Sequence, residues 1–155
     1  MKKKGHLTLN DIHVGDWVQE YREIVKRMSC PLVVKDIFAD GSLNLGFDNE
    51  RYSEFEPMES FDKEIYGIEL NVEILEGFGF EREAYDGKIW LLRYEEYSIL
   101  FGLPNTVLFY KNADESYIDT LEEPFIHALQ HSFYKQTGMP LKLEWKGVEH
   151  CEDKD

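Results

Sequence analysis

The sequence predicts an α+β fold in which short antiparallel strands form two sheets and one long C-terminal helix packs on the second. Two Asp-Gly pairs, Asp40-Gly41 and Asp86-Gly87, each stand between β-prone runs, which is the strongest short-range signal for a β-hairpin. The stretch 120–137 instead carries the start, stop and periodicity signals of one amphipathic helix. With 155 residues, 43% of them hydrophobic, the chain can bury a core without disulfides or metals.

Residues 1–63 are predicted to form a small SH3-like β-barrel. A turn at Gly15-Asp16 leads into an extended run from Trp17, and the Asp40-Gly41 hairpin follows. Residues 54–58 add an edge strand, because Pro57 lacks the N–H that a central strand donates. Several short strands in so short a segment are typical of a curled sheet or barrel.

Residues 64–146 are predicted to form an α+β subdomain, and residues 147–155 are predicted to form a polar tail. Asn71 is suited to cap a short helix at residues 72–78, and Gly79 is suited to end it in the left-handed conformation. The Asp86-Gly87 hairpin then opens an antiparallel meander of about four strands.

The long helix has two candidate starts. It begins at Thr120, with Thr120 and Glu123 forming a capping box, or at Glu123, with Pro124 as the first helical residue. Thr137-Gly138 supplies its end. After Pro140, three alternating apolar residues predict a last strand: Leu141, Leu143 and Trp145.

The predicted helix has an apolar face and a polar face. Helical spacing groups five residues toward the core: Phe125, Ile126, Leu129, Phe133 and Gln136. It places three on the solvent side: His127, His131 and Lys135. The apolar face predicts that this helix organises the core of the second subdomain.

Negative charge is the strongest compositional feature. The formal net charge is −14, and residues 48–86 hold thirteen acids against three bases. Such a surface repels phosphate backbones, so direct binding to nucleic acid is disfavoured. The common interpretation is a solubilising face; the alternatives are a basic protein partner or imitation of a nucleic acid.

Other sequence signals are absent. No apolar run approaches the roughly 20 residues of a membrane span, and no apolar segment follows the N-terminal lysines. Cys30 and Cys151 form no C-x-x-C pair, so a cytoplasmic location without structural disulfides is expected. We expect no cofactor and no membrane partner, and the sequence does not specify an oligomeric state.

The candidate metal site consists of His127 and His131, with Glu123 as a third ligand. The two histidines stand at helical i and i+4 positions, as in the H-E-x-x-H signature of zinc proteases. Ala128 occupies the position of the glutamate that serves as general base, so peptide hydrolysis lacks its base. Two solvated histidines are the more common explanation. No complete catalytic constellation is present, and the sequence therefore predicts a non-enzymatic protein.

A candidate interaction surface lies on the first subdomain. Its aromatic members are Trp17, Tyr21 and Tyr52, since aromatic grooves on small barrels bind peptides. Its acidic members are Glu54, Glu56 and Glu59. For the aromatic residues, packing in the core is the more common explanation.

Short motifs spread over most of the chain form one pattern. It comprises Gly15-Asp16-Trp17-Val18, Gly79-Phe80 at the end of a short helix, His127-x-Leu129-Gln130, and Thr137-Gly138. The pattern resembles that of small uncharacterised bacterial proteins, often carried on prophage-like elements, although Ile126 stands where they have valine. The resemblance implies this architecture and a mobile-element origin, without a known activity.

Together these features predict an accessory protein that acts through protein interaction. Two alternatives remain: an acidic nucleic-acid mimic that inhibits a DNA-binding protein, and a metal-dependent hydrolase that uses His127 and His131.

Overall fold

A computed structural model describes residues 5–47, 58–102, 106–111, 116–121, 125–141 and 143–145. The chain divides into two compact units: Met1–Ile68 with residues 144–155, and Glu69–Leu143. Antiparallel sheets and one C-terminal helix dominate the described residues, which confirms an α+β protein.

The first unit contains a six-stranded antiparallel sheet. Its strand order is β2-β1-β3-β4-β5, and β6 pairs with β1. The strands are β1 (Trp17–Arg22), β2 (Arg27–Met28), β3 (Leu32–Ile37), β4 (Ser42–Gly46), β5 (Met58–Phe61) and β6 (Ile65–Tyr66). One face of this sheet contributes to a cluster of buried side chains: Leu7, Ile12, Val18, Leu32, Val34, Leu43, Leu45 and Ile65.

The predicted hairpin at Asp40-Gly41 is confirmed and joins β3 to β4. Gly41 has φ +92°, a conformation that glycine adopts without strain. Asp40 Oδ1 accepts hydrogen bonds from Ser42 N (2.9 Å) and Ser42 Oγ (2.6 Å). These bonds hold the polypeptide in the turn.

The short strand β2 was missed by the sequence prediction. Tyr21 pairs with Met28 and Arg22 with Arg27, so β1 and β2 form a hairpin. Its turn contains Lys26 at φ +55°, a conformation that a lysine rarely adopts. No Gly or Asn marks the turn, and the charged residues around it show no alternation.

The second unit contains a five-stranded antiparallel meander, one strand more than predicted. The strands follow chain order and are β7 (Glu81–Tyr85), β8 (Ile89–Tyr94), β9 (Tyr97–Gly102), β10 (Thr106–Lys111) and β11 (Ser116–Leu121). The helices are α1 (Val72–Gly77) and α2 (Ile126–Thr137).

The predicted caps of α1 are confirmed. Asn71 Oδ1 accepts a hydrogen bond of 2.8 Å from Ile74 N, and Asn71 has extended backbone, as an N-cap residue should. Gly79 takes φ +101° just after the helix. The sequence therefore specifies this short helix locally at both ends.

The predicted start of α2 at Thr120 is wrong. Thr120 belongs to β11 and pairs with Leu108 of β10. The strand satisfies its backbone by pairing, whereas the Thr-x-x-Glu pattern is only a local signal. The helix begins at Ile126, with Phe125 as N-cap, while Glu123 and Pro124 lie outside the described residues.

The end of α2 is as predicted, but the strand after it is not. Gly138 has φ +76° and donates from its N–H to Tyr134 O at 2.8 Å. Leu141 and Leu143 are buried, yet residues 141 and 143–145 form no strand. The alternation of apolar residues therefore reflects burial of Leu141 and Leu143 and not a β-strand.

The predicted polar face of α2 is also wrong at His127, which is only 5% exposed. Gln136, assigned to the apolar face, is exposed. The buried positions of the first two turns span about 220° at about 100° per residue, much wider than a simple amphipathic stripe. They are Ile126, His127, Leu129, Gln130, Ser132 and Phe133.

No helix within the described residues is long and apolar enough to cross a membrane.

Candidate interaction surface

The edge strand β7 is more exposed than β8 and β9. All five of its residues, Glu81–Tyr85, are exposed. Within the residues that the structure describes, β7 pairs with β8 alone and ends the order β11-β10-β9-β8-β7. Its outer side therefore presents backbone N–H and C=O groups to solvent, as edge strands do.

A β-bulge at Glu83 determines which side chains of β7 share a face. Arg82 pairs with Leu92 and Ala84 with Leu91, so Glu83 is the extra residue. In a regular strand, residues 82 and 85 would point to opposite faces. The extra residue shifts this alternation by one, so Arg82 and Tyr85 lie on the same face, and both contact Trp90.

An aromatic pair lies on this face. The rings of Tyr85 and Trp90 stack with centroids 4.1 Å apart and an interplanar angle of 22°. Arg82 Cζ lies 4.9 Å from the centroid of the Trp90 ring, within the range of a cation–π contact. Tyr85 is 53% exposed, so the pair offers apolar area to a partner while its rings are already ordered.

The two arginines of this region are paired with carboxylates. Arg82 Nε and Nη2 each donate a hydrogen bond of 2.8 Å to Glu76, which raises the pKa of the Arg82 guanidinium. On the opposite face, Arg93 Nη1 lies 3.6 Å from Glu83 Oε1. Arg93 Nε also donates to the backbone oxygen of Glu95 at 2.9 Å. Both guanidinium groups are therefore oriented by the unit itself.

Exposed carboxylates outnumber bases around β7. Residues 69–96 contain eight acids and three bases, a formal charge of −5, and all eight acids are exposed. The acids are Glu69, Glu73, Glu76, Glu81, Glu83, Asp86, Glu95 and Glu96. We call β7, its partner Trp90 and the carboxylates of Glu81 and Glu83 the acidic edge.

The turn next to the acidic edge is rigidified by Asp86. Its Oδ1 accepts hydrogen bonds from Ile89 N (2.8 Å) and Lys88 N (3.0 Å), and these bonds lower the pKa of the Asp86 carboxyl. Gly87 has φ +94°. The hairpin predicted at Asp86-Gly87 is thus confirmed, and its carboxylate is stabilised in the charged form.

The candidate interaction residues of the first unit lie in different environments. Trp17 is fully buried, so it offers no surface, and core packing is its observed role. Tyr21 is half-buried on β1, and Glu59 is exposed on β5. The other three, Tyr52, Glu54 and Glu56, lie outside the described residues.

The candidate metal ligands lie on α2. The rings of His127 and His131 are 5.6 Å apart between centroids at 77°, and the His127 ring also stacks on Phe125. Glu123 lies outside the described residues. Among the residues that are described, no cluster of three metal-binding side chains contains both histidines.

The acidic edge was missed by sequence reasoning, although part of it lies in the acidic stretch recognised there. The signal that could have found it is the spacing of Tyr85 and Trp90 around Asp86-Gly87, since a tight turn makes these two residues cross-strand partners. The identity of β7 as an edge follows only from the order of strands in the sheet.

Comparisons with known proteins find no match: no family model, curated protein or solved structure is significantly similar to this chain.

Proposed function

We propose that this protein is a non-enzymatic interaction module that binds a basic protein partner through the acidic edge of its second unit. The observation that carries the proposal is an edge strand with all five residues exposed beside a stacked aromatic pair, in which Tyr85 is exposed and Trp90 is half-buried. Tyr, Trp and Arg side chains commonly supply most of the binding energy of protein interfaces. Tyr85 and Trp90 are already stacked, so little side-chain entropy is lost when a partner covers them.

The charge of the region supports a basic partner. With a formal charge of −5 over residues 69–96, the surface attracts cationic proteins and raises the rate of encounter, an effect that salt weakens. Arg82 and Arg93 are already counted in this net charge, so the region remains negative although both arginines form ion pairs within the unit.

A nucleic-acid mimic is the second candidate, and the exposure of all eight carboxylates favours it. A mimic also binds a basic protein, but at the surface that the protein uses for DNA or RNA. Competition separates the two: a duplex DNA oligonucleotide displaces a mimic from its partner, whereas it leaves an independent interaction module bound. The metal-dependent hydrolase lacks such support, because among the described residues no cluster of three metal-binding side chains contains both His127 and His131.

We also propose that the first unit is an SH3-like barrel. Its strand β1 pairs with β3 at Trp17 and Val18, with β6 at residues 19–20, and with β2 at residues 21–22. One strand with three partners is the arrangement by which a curled sheet closes on itself. This architecture agrees with the resemblance to small prophage-associated bacterial proteins, and we propose the same mobile-element origin.

Affinity capture with matched variants tests the interaction. Immobilised protein, its E81Q/E83Q variant and its E95Q/E96Q variant are each exposed to lysate of the native cell. Both variants lose two exposed carboxylates from the second unit, but only the first changes the acidic edge. We expect a basic protein that the unaltered chain and E95Q/E96Q retain and that E81Q/E83Q releases. Failure to recover any protein whose retention depends on the acidic edge overturns the proposal.

A further inference from the structure

We propose that the acidic edge binds its partner by strand addition: an extended segment with Lys or Arg at alternate positions and apolar residues between them pairs with the outer side of β7. This inference rests on the proposed interaction function and specifies the partner segment and its binding mode.

The backbone of β7 supplies the first argument. The strand is five residues long, and within the described residues its outer side has no backbone partner. An added strand can therefore form a ladder of main-chain hydrogen bonds, which provides affinity with little dependence on sequence. The inner side is fixed by four pairs with β8, so β7 is already extended before a partner arrives.

The two faces of β7 supply the second argument. Glu81 pairs with Arg93 and Glu83 lies beside the same arginine, so both carboxylates belong to one face. Tyr85 lies on the opposite face against Trp90. Side chains of an added strand alternate between the two faces. Lys or Arg on one face then meets the carboxylates, and apolar residues on the other contact the aromatic pair.

The same charges disfavour a second copy of this chain as the occupant. Pairing of two β7 strands would bring the carboxylates of Glu81 and Glu83 close to their equivalents, and like charges across neighbouring strands are destabilising. The bulge at Glu83 interrupts the ladder for any added strand, so an occupant pairs with the residues on either side of it. The carboxylates, in contrast, act against a second copy and favour a basic strand.

Hydrogen exchange and peptide binding test the proposal on the full chain. The probe is the capped peptide Lys-Val-Lys-Val-Lys-Val-Lys. One control peptide has glutamate in place of lysine. Another has proline in place of valine, which keeps the charge but disfavours a ladder, because proline lacks the backbone N–H and fixes φ at about −65°. Fluorescence anisotropy measures affinity, and amide exchange measures protection at residues 81–85.

We expect the lysine-valine peptide to slow amide exchange in β7 and the two control peptides to leave it unchanged. Loss of two favourable charge contacts should weaken peptide binding about threefold to tenfold in E81Q/E83Q. The E95Q/E96Q variant should stay within about twofold of the unaltered chain, because its carboxylates lie at the β8–β9 turn.

Three results overturn strand addition. The first is binding without protection of β7. The second is equal binding of the proline peptide, which shows attraction by charge alone and leaves the proposed function intact. The third is protection of β7 that increases with protein concentration in the absence of peptide, which identifies a second copy as the occupant. Failure to recover an edge-dependent partner in affinity capture overturns the proposed function itself and is measured separately.

Discussion

Arg82 and Glu76 form a bidentate pair in which Nε and Nη2 of the arginine donate hydrogen bonds of 2.8 Å to the two carboxylate oxygens. The pair connects α1 to β7, and the same guanidinium lies 4.9 Å from the Trp90 centroid. A lysine cannot reproduce this geometry, since its ammonium group is compact and lacks the planar fork of donors. The pair with Glu76 therefore holds the Arg82 guanidinium beside the Trp90 ring.

Arg82→Lys should lower the melting temperature slightly, by about 1–2 °C at low salt and less at high salt, because the pair is exposed and screened. It should also perturb the near-ultraviolet circular dichroism of Trp90. The control is Lys88→Arg in the neighbouring exposed turn, which should change neither signal. An unchanged Trp90 signal in Arg82→Lys would show that the guanidinium does not order the ring.

Asn71→Ala should destabilise the second unit by about 1 kcal/mol, since it removes the oxygen that accepts from Ile74 N. Asn71→Asp keeps an acceptor at the same position and should retain most of the stability. Urea denaturation followed by far-ultraviolet circular dichroism measures both variants. Equal loss of stability in the two variants would contradict a capping role.

The lowered pKa values of Asp40 and Asp86 predict that the protein loses stability at acid pH. Hydrogen bonds from the Ser42 side chain and backbone lower the pKa of Asp40, and those from Ile89 N and Lys88 N lower the pKa of Asp86, each from an ordinary value of 3.8. Because the folded pKa values are the lower ones, the unfolded chain binds more protons in this range, and stability rises with pH. The contribution is complete above the unfolded pKa and is lost as pH falls through the folded values.

Urea midpoints measured from neutral pH to below pH 3.8 should therefore fall, and the fall should be smaller in Asp40→Asn and Asp86→Asn. NMR titration of the two carboxyl carbons assigns the effect to each residue. Titration of either carboxyl at its ordinary pKa in the folded chain would contradict the role of the turn hydrogen bonds.

Local signals explain the parts of the fold that the sequence predicts. Gly41, Gly87 and Gly138 all take positive φ at predicted turns or helix ends, and Asn71 caps α1. Each position depends on a backbone conformation or hydrogen bond formed within a few residues. The residue types that meet such local requirements can be recognised in a single sequence.

The errors come from interactions distant in sequence. Thr120 carries a local helix-start pattern, but its pairing with Leu108 places it in a strand. Trp17 was a candidate for both binding and core packing, and its full burial places it in the core. The acidic edge likewise depends on which strand ends the sheet, and strand order is not encoded by periodicity. The acidic composition of residues 48–86 therefore does not identify which carboxylates lie at an exposed sheet edge.

Replacing Leu129, a buried residue of α2, tests whether this helix is part of the core of the second unit. Leu129 is fully buried, so Leu129→Ala should cost about 2–5 kcal/mol through lost apolar contact and the cavity that remains. Tyr134→Ala on the same helix is the matched control: Tyr134 is 60% exposed and should change stability by about 0.5 kcal/mol or less. Urea denaturation measures both variants. If Leu129→Ala were as stable as Tyr134→Ala, α2 would not be part of the core of the second unit.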